Sequence, residues 1–322
     1  MQEIMVTANE AGQRFDKLLA KYLNRAPKSF IYKMLRKKNI TLNGKKADGS
    51  EKLEIGDSVK LFLADETVAK FSEAVISDVH AELDVLYEDA HVLLINKPVG
   101  LLSQKADAKD VSLVEHIISY LIHSKQLTEE ELRKFKPSIC NRLDRNTSGL
   151  VVAGKSLAGL QQMGALFHDR SMRKYYRCLV AGHIKDGQYI KGYLTKDEIT
   201  NKVCILSKET SDSLPIETEY EPIWSNGRST LLEVHLITGR THQIRAHLAS
   251  QGHPIIGDYK YGNRDINEGY KKKYKLTSQL LHAYRLEFPH LTGELESLSE
   301  KHFIAPLPNL FTTILESEKH EG

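Results

Sequence analysis

Cysteine is scarce in this chain of 322 residues. There are three, Cys140, Cys178 and Cys204, and they lie far apart. They form no Cys-x-x-Cys pair and leave an odd count, so neither a disulfide framework nor a Cys-based metal site is expected. They read instead as small buried residues of a reduced, cytoplasmic protein. Long apolar runs are missing too, since nothing approaches the ~18 uninterrupted apolar residues of a membrane span. The first five residues lack a basic region followed by an apolar core, so no secretory signal is expected. Glycine-rich phosphate loops are absent, both Gly-x-Gly-x-x-Gly and Gly-x-x-x-x-Gly-Lys-Ser/Thr, which leaves nucleotide-cofactor readings without support. So is the Gly-x-Ser-x-Gly elbow of serine hydrolases. No internal repeat or low-complexity segment is visible.

Excess charge is also slight overall, at +3, but it is unevenly placed. Residues 14–46 hold eleven Lys or Arg against one acid, Asp16, a net of +10, so the remaining 289 residues sum to −7. A basic lobe on an otherwise near-neutral chain is the electrostatic footprint of a nucleic-acid partner. A merely solvated helix face is the competing reading, and ten net charges in 33 residues weaken it. The length itself favours two domains.

Within the lobe, Phe15, Leu18, Leu19, Tyr22 and Leu23 recur at helical spacing. Pro27-Lys28-Ser29 breaks the chain, and Ser29 reads as the N-cap of a second helix carrying Ile31, Met34 and Leu35 on its apolar face. Ile40-Thr41-Leu42 runs into Asn43-Gly44, a hairpin signal, and Ser58 to Leu63 reads as a closing strand. Two short helices and a small sheet resemble an S4 domain, a fold that binds structured RNA. That resemblance covers residues 12–63 and implies RNA contacts from Arg14, Lys17, Lys28, Ser29, Lys33, Arg36 and Lys37. Residues 64–80 read as a linker. Beyond it the texture is β-rich, with strands at 83–87 and 92–95, a helix from Ser112 to Leu121, and a charged surface insert at 126–135.

The segment Asn141-Arg142-Leu143-Asp144-Arg145-Asn146-Thr147-Ser148-Gly149 places one acid between two arginines. Nearby guanidinium groups favour a charged carboxylate, and such a carboxylate in a water-excluding site is a candidate nucleophile. On spacing alone the better reading is an exposed turn whose ion pairs contribute little. Further on, Lys174-Tyr175-Tyr176 opens a strand. Leu231 to Ile237, another strand, leads into Gly239-Arg240-Thr241-His242-Gln243-Ile244-Arg245 and a helix, then Gly252-His253-Pro254 and Gly257-Asp258. His242 and His247 are five apart, about 140° around a helix, and cannot share a face. No metal is expected. Lys271-Lys272-Lys273 reads as a solvated loop run, and residues 282–290 alternate as a strand.

These motifs resemble those of the RluA-type RNA pseudouridine synthases, whose catalytic segment reads His-Arg-Leu-Asp-x-x-Thr-Ser-Gly. Asn141 stands where that pattern has His. The resemblance spans residues 12 to 290 and implies an α+β architecture: a small S4-like domain followed by a catalytic domain over 81–310 with a mixed, mainly antiparallel sheet flanked by helices and loops. It implies Asp144 as the catalytic residue, Tyr176 in proton transfer, and Arg245 paired to Asp144. Substrate contacts are implied for Arg142, Ile244 and Lys97, the last in a Lys-Pro turn. The implied reaction isomerises uridine in RNA with no cofactor, on large-subunit ribosomal RNA, by a monomeric cytoplasmic enzyme. A transfer RNA target and a non-catalytic RNA-binding or assembly factor are the alternatives.

Overall fold

The computed structural model describes residues 1–72, 79, 82–107 and 109–320. In the N-terminal lobe, strand β1 (Gln2–Met5) precedes helices α1 (Phe15–Tyr22) and α2 (Lys28–Arg36). Strands β2 (Ile40–Leu42), β3 (Lys45–Lys46) and β4 (Ser58–Leu61) follow, then helix α3 (Asp65–Phe71). The four strands form one sheet in the order β1-β4-β2-β3. The apolar stripe of α1 is buried: Phe15, Leu18 and Leu19 are fully covered and pack with Ile31 and Leu35 of α2 over Ile40, Val59 and Leu61. Both residues of the Asn43-Gly44 turn have positive φ, 50° and 72°, the geometry a tight hairpin needs.

Three expectations are corrected here. Ser29 is exposed in the first turn of α2, and the N-cap position is Pro27, with no side-chain cap. The lobe extends beyond 12–63 at both ends, because Ile4 of β1, Val6 just after it and Val68 belong to its core. Most of the first half of the 64–80 linker is helix α3, which buries Val68 and sets Phe71 against Phe30 at 4.6 Å between ring centroids. Residues 73–78 and 80 of that span, and the domain start at 81, lie outside the described residues. Arg14, expected at the RNA surface, is exposed and makes two hydrogen bonds to Asp16, at 2.9 and 3.1 Å.

The second unit contains β5 (Val85–Glu88), β6 (Val92–Lys97), α4 (Leu113–His123), α5 (Glu129–Lys134), β7 (Ser138–Ile139), β8 (Ser148–Gly154) and α6 (Leu157–His168). It continues with β9 (Arg173–Ala181), β10 (Gln188–Asp197), β11 (Lys202–Leu206), β12 (Leu214–Ser225), β13 (Ser229–Leu236), α7 (Gln243–Ser250) and α8 (Arg264–Tyr274). It ends with β14 (Leu281–Glu287), a 3-10 turn at Gly293–Leu298, β15 (His302–Ile304) and α9 (Asn309–His320). Eleven strands make one sheet, in the order β11-β10-β12-β13-β9-β14-β8-β6-β5, with β15 on β14 and β7 on β8. Among the described residues only the β14–β8 strand pair is parallel, so the sheet is mixed and mainly antiparallel.

All seven residues of β8 are buried, as an apolar run in a central strand should be. The charged insert at 126–135 is a capped helix: Thr128 accepts from the Glu131 amide, and Leu127, Leu132 and Phe135 are buried. The triple lysine is the last turn of α8, where cations suit the helix dipole. The unit also runs past 310, because Phe311, Ile314 and Leu315 of α9 pack on Leu179 and Leu231 of the sheet.

Candidate active site

Asp144 sits in the turn between β7 and β8, its carboxylate half-buried. Its own carbonyl accepts the Thr147 amide at 3.0 Å. The turn is held from several sides. Ser103 Oγ donates to the Leu143 carbonyl at 2.7 Å and accepts the Leu143 amide at 3.0 Å. Asn141, the departure from the family pattern, bridges to β8: Nδ2 donates to the Leu150 carbonyl at 3.2 Å and Oδ1 accepts the Val152 amide at 2.8 Å. Gly149 has φ +109°, and a Cβ there would lie 2.2 Å from the Ala283 carbonyl oxygen. The motif therefore needs glycine where β8 meets β14.

The arginines flanking Asp144 in sequence are not its partners. Arg142 is exposed and makes no ion pair among the described residues. Arg145 is also exposed and donates from Nε to the Gly100 carbonyl at 3.2 Å. The guanidinium that reaches Asp144 is Arg245, 101 residues on, with Nη1 to Oδ2 at 2.8 Å. Arg245 spends its other edge on Asp258, Nε to Oδ2 at 2.7 Å and Nη2 to Oδ1 at 3.0 Å. This is the paired fork geometry that only arginine offers. Burial works against the charge on Arg245, and the bonds and charge of Asp258 and then Asp144 outweigh it, raising its pKa. Burial likewise pushes Asp258 up, but Arg245 and the Lys260 and Tyr261 amides hold it below the usual carboxylate range. Asp258 is fully buried. Sequence reading noted Gly257-Asp258 but assigned it no role; an acid ending the apolar run Pro254-Ile255-Ile256 was the available signal.

The start of α7 fixes Arg245. Gln243 is buried: its Oε1 accepts from Thr238 Oγ1 at 2.8 Å and from the Arg240 amide at 3.1 Å. Its Nε2 donates to the Glu217 carbonyl and Thr218 Oγ1, both at 3.0 Å. His242 just before it is left-handed, φ 55°, a conformation few non-glycine residues adopt. Its Nδ1 lies 2.9 Å from Tyr261 Oη, and Nε2 lies 3.8 Å from Asp144 Oδ2. Burial lowers its pKa, with Asp144 opposing.

Tyr176 lies on β9 between Val234 and Ala283 of the neighbouring strands. It is buried, and burial first, then Asp144, raises its pKa. The phenol is therefore protonated at neutral pH. Tyr175 turns to the opposite face and stacks on His235 at 4.8 Å. Ile244 belongs to the same buried cluster as Leu143, Tyr176, Val234 and Ala283.

Lys97 is a correction. It is fully buried, and its Nζ donates to the carbonyls of Pro98, Leu101 and Arg145 at 2.9, 2.8 and 3.1 Å. An ammonium has three donors, so none is left for a substrate. Lys97 ties down the turn that carries Asp144. Burial lowers its pKa to about 8, with Asp144 opposing. In the N-terminal lobe, Arg14, Lys17, Lys28, Ser29, Lys33, Arg36 and Lys37 are all exposed.

The structure thus brings Asp144, Tyr176 and Arg245 together from β7–β8, β9 and α7, and adds Asp258 and His242. A carboxylate set by a buried arginine fork beside a buried tyrosine, in a chain with a basic lobe, suits an enzyme that acts on RNA. The chain belongs to the RNA pseudouridylate synthase family, whose model matches residues 91–250. It is 31% identical over 306 residues to the ribosomal large subunit pseudouridine synthase C of Vibrio cholerae, covering 91% of this chain and 90% of that protein. The Escherichia coli K12 protein of the same name is 33% identical over 304 residues, covering 90% of each. A solved structure, human RNA pseudouridylate synthase domain containing 4, shares the fold, with a TM-score of 0.58 and 24% identity over 73% of this chain and 92% of that one.

Proposed function

We propose that this enzyme isomerises uridine in large-subunit ribosomal RNA to pseudouridine and that Asp144 is its catalytic residue. The relatives named for that activity support the substrate. The observation that carries the assignment of Asp144 is its bond to Arg245, whose remaining donors are locked on buried Asp258. The reaction breaks the bond between N1 of the base and C1′ of the ribose and forms one from C5 to C1′. The C5 proton leaves and N1 takes one up, so atoms and charge balance without a cofactor. Asp144 acts at C1′, either as a nucleophile or by stabilising positive charge as the base departs. The target uridine must leave its stack to reach a carboxylate held in a turn. Exposed Arg142 is placed to hold a neighbouring phosphate or fill the vacated position. The buried, protonated Tyr176 packs against the base or donates a proton; its raised pKa argues against a resting base. The enzyme works as a cytoplasmic monomer. Among the described residues, no helix is long and apolar enough to cross a membrane.

Asp144→Asn tests the central assignment. The amide keeps the shape and loses the charge and the nucleophile. Tritium release from C5-labelled uridine in ribosomal RNA should vanish while RNA binding persists. A rate within tenfold of the parent, a barrier change below about 1.4 kcal/mol, would remove Asp144 from the mechanism.

A further inference from the structure

Lys174 is the second residue of β9 and is only 9% exposed. It stands two residues from Tyr176, so both side chains leave the same face of the strand, about 7 Å apart along it. Among the described residues its ammonium makes no hydrogen bond or ion pair. Lysine so deeply buried is rare without a partner. The acids on the neighbouring strands do not supply one. Glu233 and Glu287 lie on the other face, where they pair with Arg177, Arg285 and Arg173. The charged neighbour that acts on Lys174 is another cation, Arg170, and it adds to the effect of burial in lowering the lysine's pKa. Arg170 is exposed and without an ion pair among the described residues. The ammonium is not sealed in. Its Nζ would be 3.9 Å from a Cβ built on Gly239, and Gly239 and Arg240 are both exposed. An unpaired ammonium therefore lies beside the exposed loop that leads into the Arg245 helix, with the charge of Arg170 near enough to act on it.

We propose that Lys174, with Arg170 beside it and the Gly239-Arg240 loop at its rim, binds a backbone phosphodiester of the RNA strand next to the target nucleotide. A compact ammonium is a suitable point charge for a phosphate oxygen, and the phosphate supplies the missing counter-charge. The inference rests on the reading of Asp144, Tyr176 and Arg245 as the uridine site.

The test compares Lys174→Met, Lys174→Arg and Arg170→Gln in the full-length protein. Removing a buried, unpaired cation should leave the free Lys174→Met protein at least as heat-stable as the parent. Its affinity for a ribosomal RNA fragment should fall about tenfold. The slope of log affinity against log salt should flatten by about 0.7, the value for one contact to a single strand. Lys174→Arg should restore the slope, and Arg170→Gln should weaken affinity less than Lys174→Met. Inorganic phosphate should raise the melting temperature of the parent more than that of Lys174→Met. Unchanged affinity and slope in Lys174→Met would overturn the proposal. So would marked destabilisation with the phosphate response intact, since the lysine would then be structural. Chemical labelling of pseudouridine in parent reactions separates the two readings. Parent activity with a slope indifferent to Lys174 sinks the phosphate site alone. A Lys174-dependent slope without any pseudouridine sinks the uridine reading and leaves the anion site standing.

Discussion

Arg245 can present one nitrogen to Asp144 because Asp258 takes the other edge of its guanidinium. Asp258→Asn turns one of those two acceptors into a donor aimed at a guanidinium N–H. Leaving a buried charge without its partner typically destabilises by ~3–5 kcal/mol, and the amide retains part of the bond, so a loss of about 3 kcal/mol is expected. Single-turnover rate should fall by about a hundredfold, ~2.7 kcal/mol, as the arginine loses its orientation. Urea unfolding and single-turnover assays on the same preparation check both, and parental activity in a stably folded variant would show that orientation does not matter. Arg245→Lys should fare almost as badly as Arg245→Ala, because lysine keeps the charge and loses the planar donors. At this scale spacing alone left Asp144 in an ordinary charged turn, and only the family resemblance put Asp144, Tyr176 and Arg245 in one place, where the structure also has them. Partners were not legible in the spacing. Nothing local couples Asp144 to a residue 101 positions away. The adjacent Arg142 and Arg145 look like partners in sequence and point elsewhere. Lys97 looked like a substrate contact because spacing cannot reveal that three carbonyls have consumed its donors.

Elements with a clear period could be read: the α1 stripe, the buried runs of β6 and β8, and the Asn43-Gly44 hairpin. What escaped was stabilised by distant packing. Strand β1 is only four residues and exists because β4 offers it an edge. Helix α9 forms over a sheet face that Leu179 and Leu231 leave apolar. The parallel seam of β8 and β14 was also invisible, and it makes two predictions. Gly149→Ala should cost at least ~3 kcal/mol, since φ +109° disfavours alanine and its Cβ meets the Ala283 backbone. Thermal unfolding would check it. His282, fully buried on the same seam, accepts from Ser148 at Nδ1 and donates from Nε2 to the Ala305 carbonyl, with its pKa lowered from 6.5 to about 4 by burial. Folding therefore favours its neutral form. That contribution is complete above pH 6.5 and is lost as pH falls from 6.5 through about 4, amounting to ~3 kcal/mol over the window. His282→Gln should remove part of this acid sensitivity, measured as unfolding free energy against pH. An identical pH slope in the variant would sink the assignment.

At the scale of the molecule, charge and chemistry are separated along the chain. The site residues all lie beyond residue 140, whereas residues 14–46 carry a net +10. Such a division predicts that affinity and turnover can be altered independently. Lys33, Arg36 and Lys37 are exposed on or just after α2, and changing them leaves its buried face of Ile31, Met34 and Leu35 untouched. Replacing all three with glutamine should leave the fold intact, since exposed substitutions away from caps and networks usually stay within about 0.5 kcal/mol each. If each of the three meets a phosphate, the log–log salt slope of RNA binding should flatten by about 2 to 2.7 in total, 0.7 to 0.9 per contact. Affinity at low salt should fall correspondingly. The single-turnover rate at saturating enzyme should stay within threefold of the parent, because no group at Asp144 has changed. Titrating a ribosomal RNA fragment at four salt concentrations gives the slope, and tritium release from bound RNA gives the chemical step. A slope equal to the parent's would make this face a solvated surface rather than an RNA anchor. A collapsed rate with binding intact would mean that the lobe helps set the uridine over Asp144.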